Sequence, residues 1–154
     1  MDKYIGTKLV EAKEMNLGDY NKFKGWTIPE NENPKTEGYM VKYSDDYISW
    51  CPKEQFEKNN LKVSENKNLP SGVSIGQEMV EDFIKEKYVS TIGDKTTLVR
   101  VVLANGFEII ESSACVDKAN YSEEIGAECC MDKIKDKIRM LLGFLLQTAF
   151  KGIK

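Results

Sequence analysis

The sequence predicts an α+β fold: a small antiparallel sheet packed with a long C-terminal helix and a second helix, plus a small β-rich N-terminal appendage. Three observations predict it. Residues 96–113 read as two apolar strands around Asn105-Gly106, a dipeptide suited to a tight hairpin. From Ser122 onward, apolar residues recur at steps of three and four, the period of a helix with one buried face. Before residue 63 the chain carries short strand-like aromatic runs, which a polar stretch separates from the rest.

That composition shift sets the expected domain organisation: residues 1–63 as a β-rich appendage, 64–73 as a linker, and 74–154 as a helix–hairpin–long helix domain. In the appendage, Tyr4–Val10 reads as an opening strand. Residues 26–34 are a loop punctuated by Pro29 and Pro34, and Gly38–Tyr43 with Tyr47–Trp50 reads as a hairpin. Pro52 fits the first turn of a short helix to Lys58, where its missing N–H leaves nothing unpaired.

Beyond the linker, Ser74-Ile75-Gly76-Gln77 has the form of a capping box, and Ile75, Met79, Val80, Phe83 and Ile84 extend a helical pattern over about 75–88. A two-residue turn at Asn105-Gly106 would set Val102 opposite Ile109 and Arg100 opposite Glu111. The long helix then starts near Ser122, behind the acidic pair Glu123-Glu124. Its core stripe is Ile134, Ile138, Leu141, Leu142, Leu145 and Ala149, with Asp132, Lys135, Asp136 and Arg139 towards the other side. After residue 140 the apolar surface widens to include Met140, Phe144, Leu146 and Phe150, as helices do where they meet another subunit.

Bulk composition narrows the function. A net charge of −3 with only two arginines argues against binding long nucleic acid, which calls for clustered basic residues. No run approaches the ~20 apolar residues of a membrane span, and the N-terminus lacks a signal-peptide core, so the expected setting is the cytoplasm. There the four cysteines, Cys51, Cys115, Cys129 and Cys130, are expected to be reduced and buried.

Catalysis is expected to be absent. With no histidine in the chain, neither Ser-His-Asp nor Cys-His chemistry nor a zinc-protease helix can be assembled. No phosphate-binding glycine loop is present, the cysteines lack the C-x-x-C spacing of a zinc site, and no metal or cofactor is expected. A binding set remains: Phe107, Asp117, Asn120, Tyr121, Lys133, Lys135 and Arg139, expected where the mouth of the hairpin meets the start of the long helix. An aromatic ring stacks on a base, Asn and Asp bond polar edges, and Lys or Arg neutralises phosphate. The same residues also fit a plainer reading in which the rings are core, Asp117 and Asn120 shape a turn, and the charges form a solvated face.

The run from Leu98 through Asn105-Gly106-Phe107, Glu111-Ser112-Ser113-Ala114-Cys115-Val116 and Lys118-Ala119-Asn120-Tyr121, followed by a helix with Lys133-Ile134 and Leu141-Leu142, resembles a family of small phage proteins. That family includes the first type of Thoeris anti-defence protein, and the resemblance spans roughly residues 75–150. This chain lacks the family's usual proline before Asn120, which makes the turn less rigid. The resemblance implies a sponge that sequesters the cyclic ADP-ribose isomer made by bacterial TIR enzymes without degrading it. It further implies a homo-oligomer, a dimer or a hexamer built from dimers, with pockets between subunits and further sites for cyclic oligonucleotides. The alternative expectations are an accessory protein that binds a host protein through the apolar end of the long helix, or sequestration of cyclic oligonucleotides of a related defence system.

Overall fold

The computed structural model describes residues 1–154 and divides the chain into two compact units, Met1–Lys62 with Gln147–Lys154, and Val63–Leu146. The fold is α+β, with small antiparallel sheets and a long C-terminal helix. Residues 64–73, expected as a linker, lie inside the second unit, and the last eight residues group with the first.

In the first unit, β1 (Glu11–Glu14), β2 (Gly38–Lys42) and β3 (Ile48–Pro52) form an antiparallel sheet in that order. Helix α1 (Leu17–Lys24) lies between β1 and β2, and α2 (Lys53–Asn59) follows β3. The hairpin read over residues 38–50 is present. The opening strand is not at Tyr4–Val10: residues 1–10 have no regular structure, and Glu11–Glu14 pairs instead. The short β2 fixes this choice, with Glu14 opposite Tyr39 and Met15 N–H bonding Gly38 C=O at 2.9 Å. Helix α1 is capped by Asn16, whose Oδ1 accepts from Asp19 N–H at 2.7 Å, and closes on the left-handed Gly25. Pro52 precedes α2 as its N-cap.

In the second unit, β4 (Ser64–Glu65) pairs with β5 (Val73–Ser74), and α3 (Gln77–Asp82) leads into β6 (Ile84–Ile92), β7 (Thr96–Leu103) and β8 (Glu108–Ala114). These last three strands form an antiparallel sheet in order β6-β7-β8. After a 3-10 turn at Lys118–Asn120, α4 runs from Glu123 to Lys151. Residues 29 long span about 43 Å at 1.5 Å per residue.

Two local expectations around α3 are corrected here. The helix predicted over 75–88 ends at Asp82, and residues 84–92 become an edge strand. The helical spacing is lost after Ile84, and pairing along β7 satisfies the backbone that a longer helix would have bonded internally. The capping box does not form. Ser74 is in β5, Gly76 is the N-cap, and Gln77 Nε2 donates instead to Glu81 Oε1 at 3.1 Å.

The hairpin turn holds three residues, Ala104–Gly106: Leu103 N–H bonds Phe107 C=O at 2.8 Å, and Gly106 takes φ +85. That shifts the register by one. Val102 faces Glu108, Arg100 faces Ile110, and Val101 faces Ile109. The Arg100 guanidinium accordingly bonds Glu108 at 2.7 Å, diagonally across the ladder, and stacks on Tyr88.

The register decides the core. Along β7 every second residue, Thr97, Val99, Val101 and Leu103, is buried. They meet Cys130, Ile134, Ile138 and Leu142, one per turn of α4, together with Ile109, Met79 and Val80. Each large apolar side chain so enclosed contributes about 1.5–3 kcal/mol. Leu141 and Leu145, expected in this stripe, are exposed, because the buried stripe is only one residue per turn wide. Of the cysteines only Cys130 is buried, and burial pushes its thiol pKa up; Cys51 and Cys115 are half-buried and Cys129 is exposed. No helix is long and apolar enough to cross a membrane.

Candidate functional site

The expected binding residues fall into three groups. At one end of the sheet the hairpin mouth does meet the start of α4. The Tyr121 hydroxyl lies between Thr91 Oγ1 at 2.7 Å and Thr97 Oγ1 at 2.9 Å, and Thr91 also donates to the Glu123 carboxylate. Asp117 Oδ1 accepts from Ala119 N–H at 2.9 Å, which holds the 3-10 turn containing Asn120. Asp117 also lines an open polar hollow of about 500 Å³ with Asp94, Lys95, Val116 and Lys118. Its charges are largely paired: Lys118 with Asp94 at 3.7 Å, and Lys95 with the Val116 carbonyl at 3.2 Å.

Phe107 is not in that group. It follows the turn at the opposite end of β8, and seven residues of strand put roughly 20 Å between the two ends. The expectation that Phe107 joins Asp117, Asn120 and Tyr121 within one chain is therefore corrected. The tight turn must lie at the closed end of the hairpin, whereas the 3-10 turn follows its open end.

The basic residues separate by helix face. Lys133 Nζ reaches back over β8 to the Ser112 carbonyl at 3.3 Å. Lys135 leaves on the other flank and pairs with Glu81 Oε1 at 3.2 Å. The Glu81 carboxyl is held below its ordinary pKa, first by the Gln77 amide and then by Lys135. Arg139 Nη1 pairs with Asp136 at 2.8 Å.

What the fold does assemble around Phe107 is a groove of about 320 Å³ between the hairpin and α4. Phe107, Ile109, Met140 and Leu141 supply its apolar lining, and Lys137 with Glu108 its polar edge. Phe107 is 56% exposed and Met140 67%, so the groove presents apolar surface outward, whereas the Ile110 side chain lies with Arg100 on the far face of the sheet. Lys137 contacts the Glu111 carboxylate, and Glu108 is occupied by Arg100. Sequence reasoning omitted Lys137 and Met140 from the site. The signal for Lys137 was its place four residues after Lys133, which puts both ammonium groups on one helix flank.

The second unit is thus a three-stranded antiparallel sheet with one face covered by a long helix, and a groove at the hairpin end where aromatic, aliphatic and cationic groups converge. Residues 75–150, just under half of the chain, match the family model described as phage protein (N4 Gp49/phage Sf6 gene 66). The match runs from the segment before α3 through the last turns of α4 and covers the whole helix-covered sheet. No curated protein and no solved structure matches the chain.

Proposed function

We propose that the protein is a phage anti-defence protein of the host cytoplasm that binds and sequesters a cyclic nucleotide immune signal, a cyclic ADP-ribose isomer made by TIR enzymes, without degrading it. The observation that carries this reading is the Phe107 groove, where an exposed aromatic ring, aliphatic side chains and the Lys137 ammonium group meet. Such a groove offers a nucleobase a stacking face and a phosphate a counter-charge. A phage-family match over residues 75–150 fits the setting. Sequestration needs affinity and no proton relay, in keeping with a chain that has no histidine.

A homo-oligomer completes the site. Asp117, Asn120 and Tyr121 stand at the other end of β8 from Phe107, so one copy's polar end closing on its neighbour's groove would unite the ligand-binding set. Pockets closed between subunits bury most of a small ligand's surface. Titration of the purified protein with cyclic ADP-ribose isomers and cyclic dinucleotides checks this reading. Saturable heat with at least one of them is expected; none with any of them would reject it.

A second reading rests on the outward apolar face of α4, where Met140 is 67% and Phe144 75% exposed. In that reading the face binds a host protein and the groove takes no nucleotide. Binding of a host partner by protein that gives no heat with any nucleotide would favour it.

A further inference from the structure

We infer that Glu111 is an internal stand-in for ligand phosphate, holding Lys137 in the empty groove and setting how strong an anion must be to enter it. This rests on the nucleotide-binding reading above.

The placement is specific. Lys133 and Lys137 are one helical turn apart on the flank of α4 that faces β8, about 6 Å along the axis. Met140 and Leu141 continue the same flank into the groove, where Phe107 closes it. A nucleotide laid along this line has its base against Phe107, Met140 and Leu141, its first phosphate at Lys137 and its second at Lys133. The two cations are not equivalently engaged. Lys133 bonds a neutral carbonyl, that of Ser112, whereas Lys137 contacts a full carboxylate.

Glu111 lies on the helix-facing side of β8, directly opposite Val99 in the ladder. Its side chain is only 16% exposed, against 50% for Lys137. A carboxylate so shielded from water needs a cation nearby, and Lys137 is the partner it has. A ligand phosphate at Lys137 must therefore draw the ammonium away from Glu111 or share it against the repulsion of a like charge. One phosphate competes poorly with a resident carboxylate. A pyrophosphate, whose two phosphates share a bridging oxygen, gains Lys133 as well when the two flexible lysines converge on it, and that second contact offsets the competition. Glu111 thus sets a threshold that a pyrophosphate passes more readily than a lone phosphate.

Glu111→Gln keeps the shape and removes the charge, so it separates this role from simple packing. Titration of the full chain with a cyclic ADP-ribose isomer at two salt concentrations compares wild type, Glu111→Gln, Lys137→Met and the double variant. Glu111→Gln is expected to bind roughly tenfold tighter than wild type and to lose affinity more steeply as salt is raised. Lys137→Met is expected to bind at least tenfold weaker, and adding Glu111→Gln to it should gain much less than in wild type, because only the like-charge repulsion is left to relieve. Thermal melts of each variant distinguish loss of folding from loss of binding. Wild-type binding with Glu111→Gln equal or weaker, or with a gain as large in the Lys137→Met background, overturns the role of Glu111 and leaves the nucleotide reading standing. No heat from wild type or any variant removes both.

Discussion

A Cβ atom on Gly126 would lie 2.1 Å from Oγ1 of Thr97 and 2.7 Å from its Cβ, so α4 rests on β7 at this point only because residue 126 has no side chain. Thr97 is fully buried and its hydroxyl is bonded to Tyr121, which leaves it little room to yield. Gly126→Ala is expected to destabilise the protein by about 1–3 kcal/mol. Denaturant titration checks this, and wild-type stability in that variant would mean that helix and sheet do not meet there.

The hairpin register is testable through its charges. Arg100→Glu and Glu108→Arg are each expected to lower stability, and the double swap to recover a coupling of about 0.5 kcal/mol in a mutant cycle. The same cycle with Glu111 in place of Glu108 should show no such recovery. Gly106→Ala, at a φ of +85, should cost about 1 kcal/mol.

That register also shows where sequence reasoning reached its limit. Asn105-Gly106 marks a turn, and alternation marks two strands, yet a two-residue and a three-residue loop fit the same dipeptide. Only packing chooses between them, by placing Val101 opposite Ile109 beneath α4. The long helix was legible because Ile134, Ile138 and Leu142 recur once per turn. Strand β6 was not, since Ile75 to Ile84 mimics a helical stripe and pairing with β7 is a long-range effect. Helix α1 had its signals, Asn16 before it and Gly25 after it, but spans only eight residues. For the site, residue types were legible and their convergence was not: Phe107 and Tyr121 are fourteen positions apart, yet at opposite ends of one strand.

In the first unit, Tyr39 stacks on Phe56 and its hydroxyl reaches Glu57 at 3.0 Å and Glu14 at 3.4 Å. The hydrogen bond to Glu57, then burial and the nearby negative charge, push its pKa up to about 12. A raised pKa favours the protonated phenol in the fold. Its stabilising effect is complete below pH ~10, the ordinary phenol value, and lost as pH rises towards about 12. Tyr20 and Tyr88 are raised as well, so the check is comparative: Tyr39→Phe should lower the phenolate absorbance gained near that upper value by one tyrosine. A variant that gains as much there as wild type would contradict this assignment.

The exposed apolar face of α4 should govern assembly. Met140→Ser removes apolar surface that is already in water in the single chain, so its cost to chain stability should stay within about 0.5 kcal/mol. Sedimentation is expected to show a large assembly for wild type and a smaller species for Met140→Ser. Identical sedimentation of the two would separate this face from assembly.

The most direct measurement is to mix the protein with the cyclic ADP-ribose isomer that it binds, incubate, denature, and identify what is released by mass and chromatography. Sequestration predicts recovery of the intact cyclic compound in proportion to the protein added, however long the incubation. Release of a linear or cleaved product, accumulating with time beyond the amount of protein, would contradict it and make the protein an enzyme.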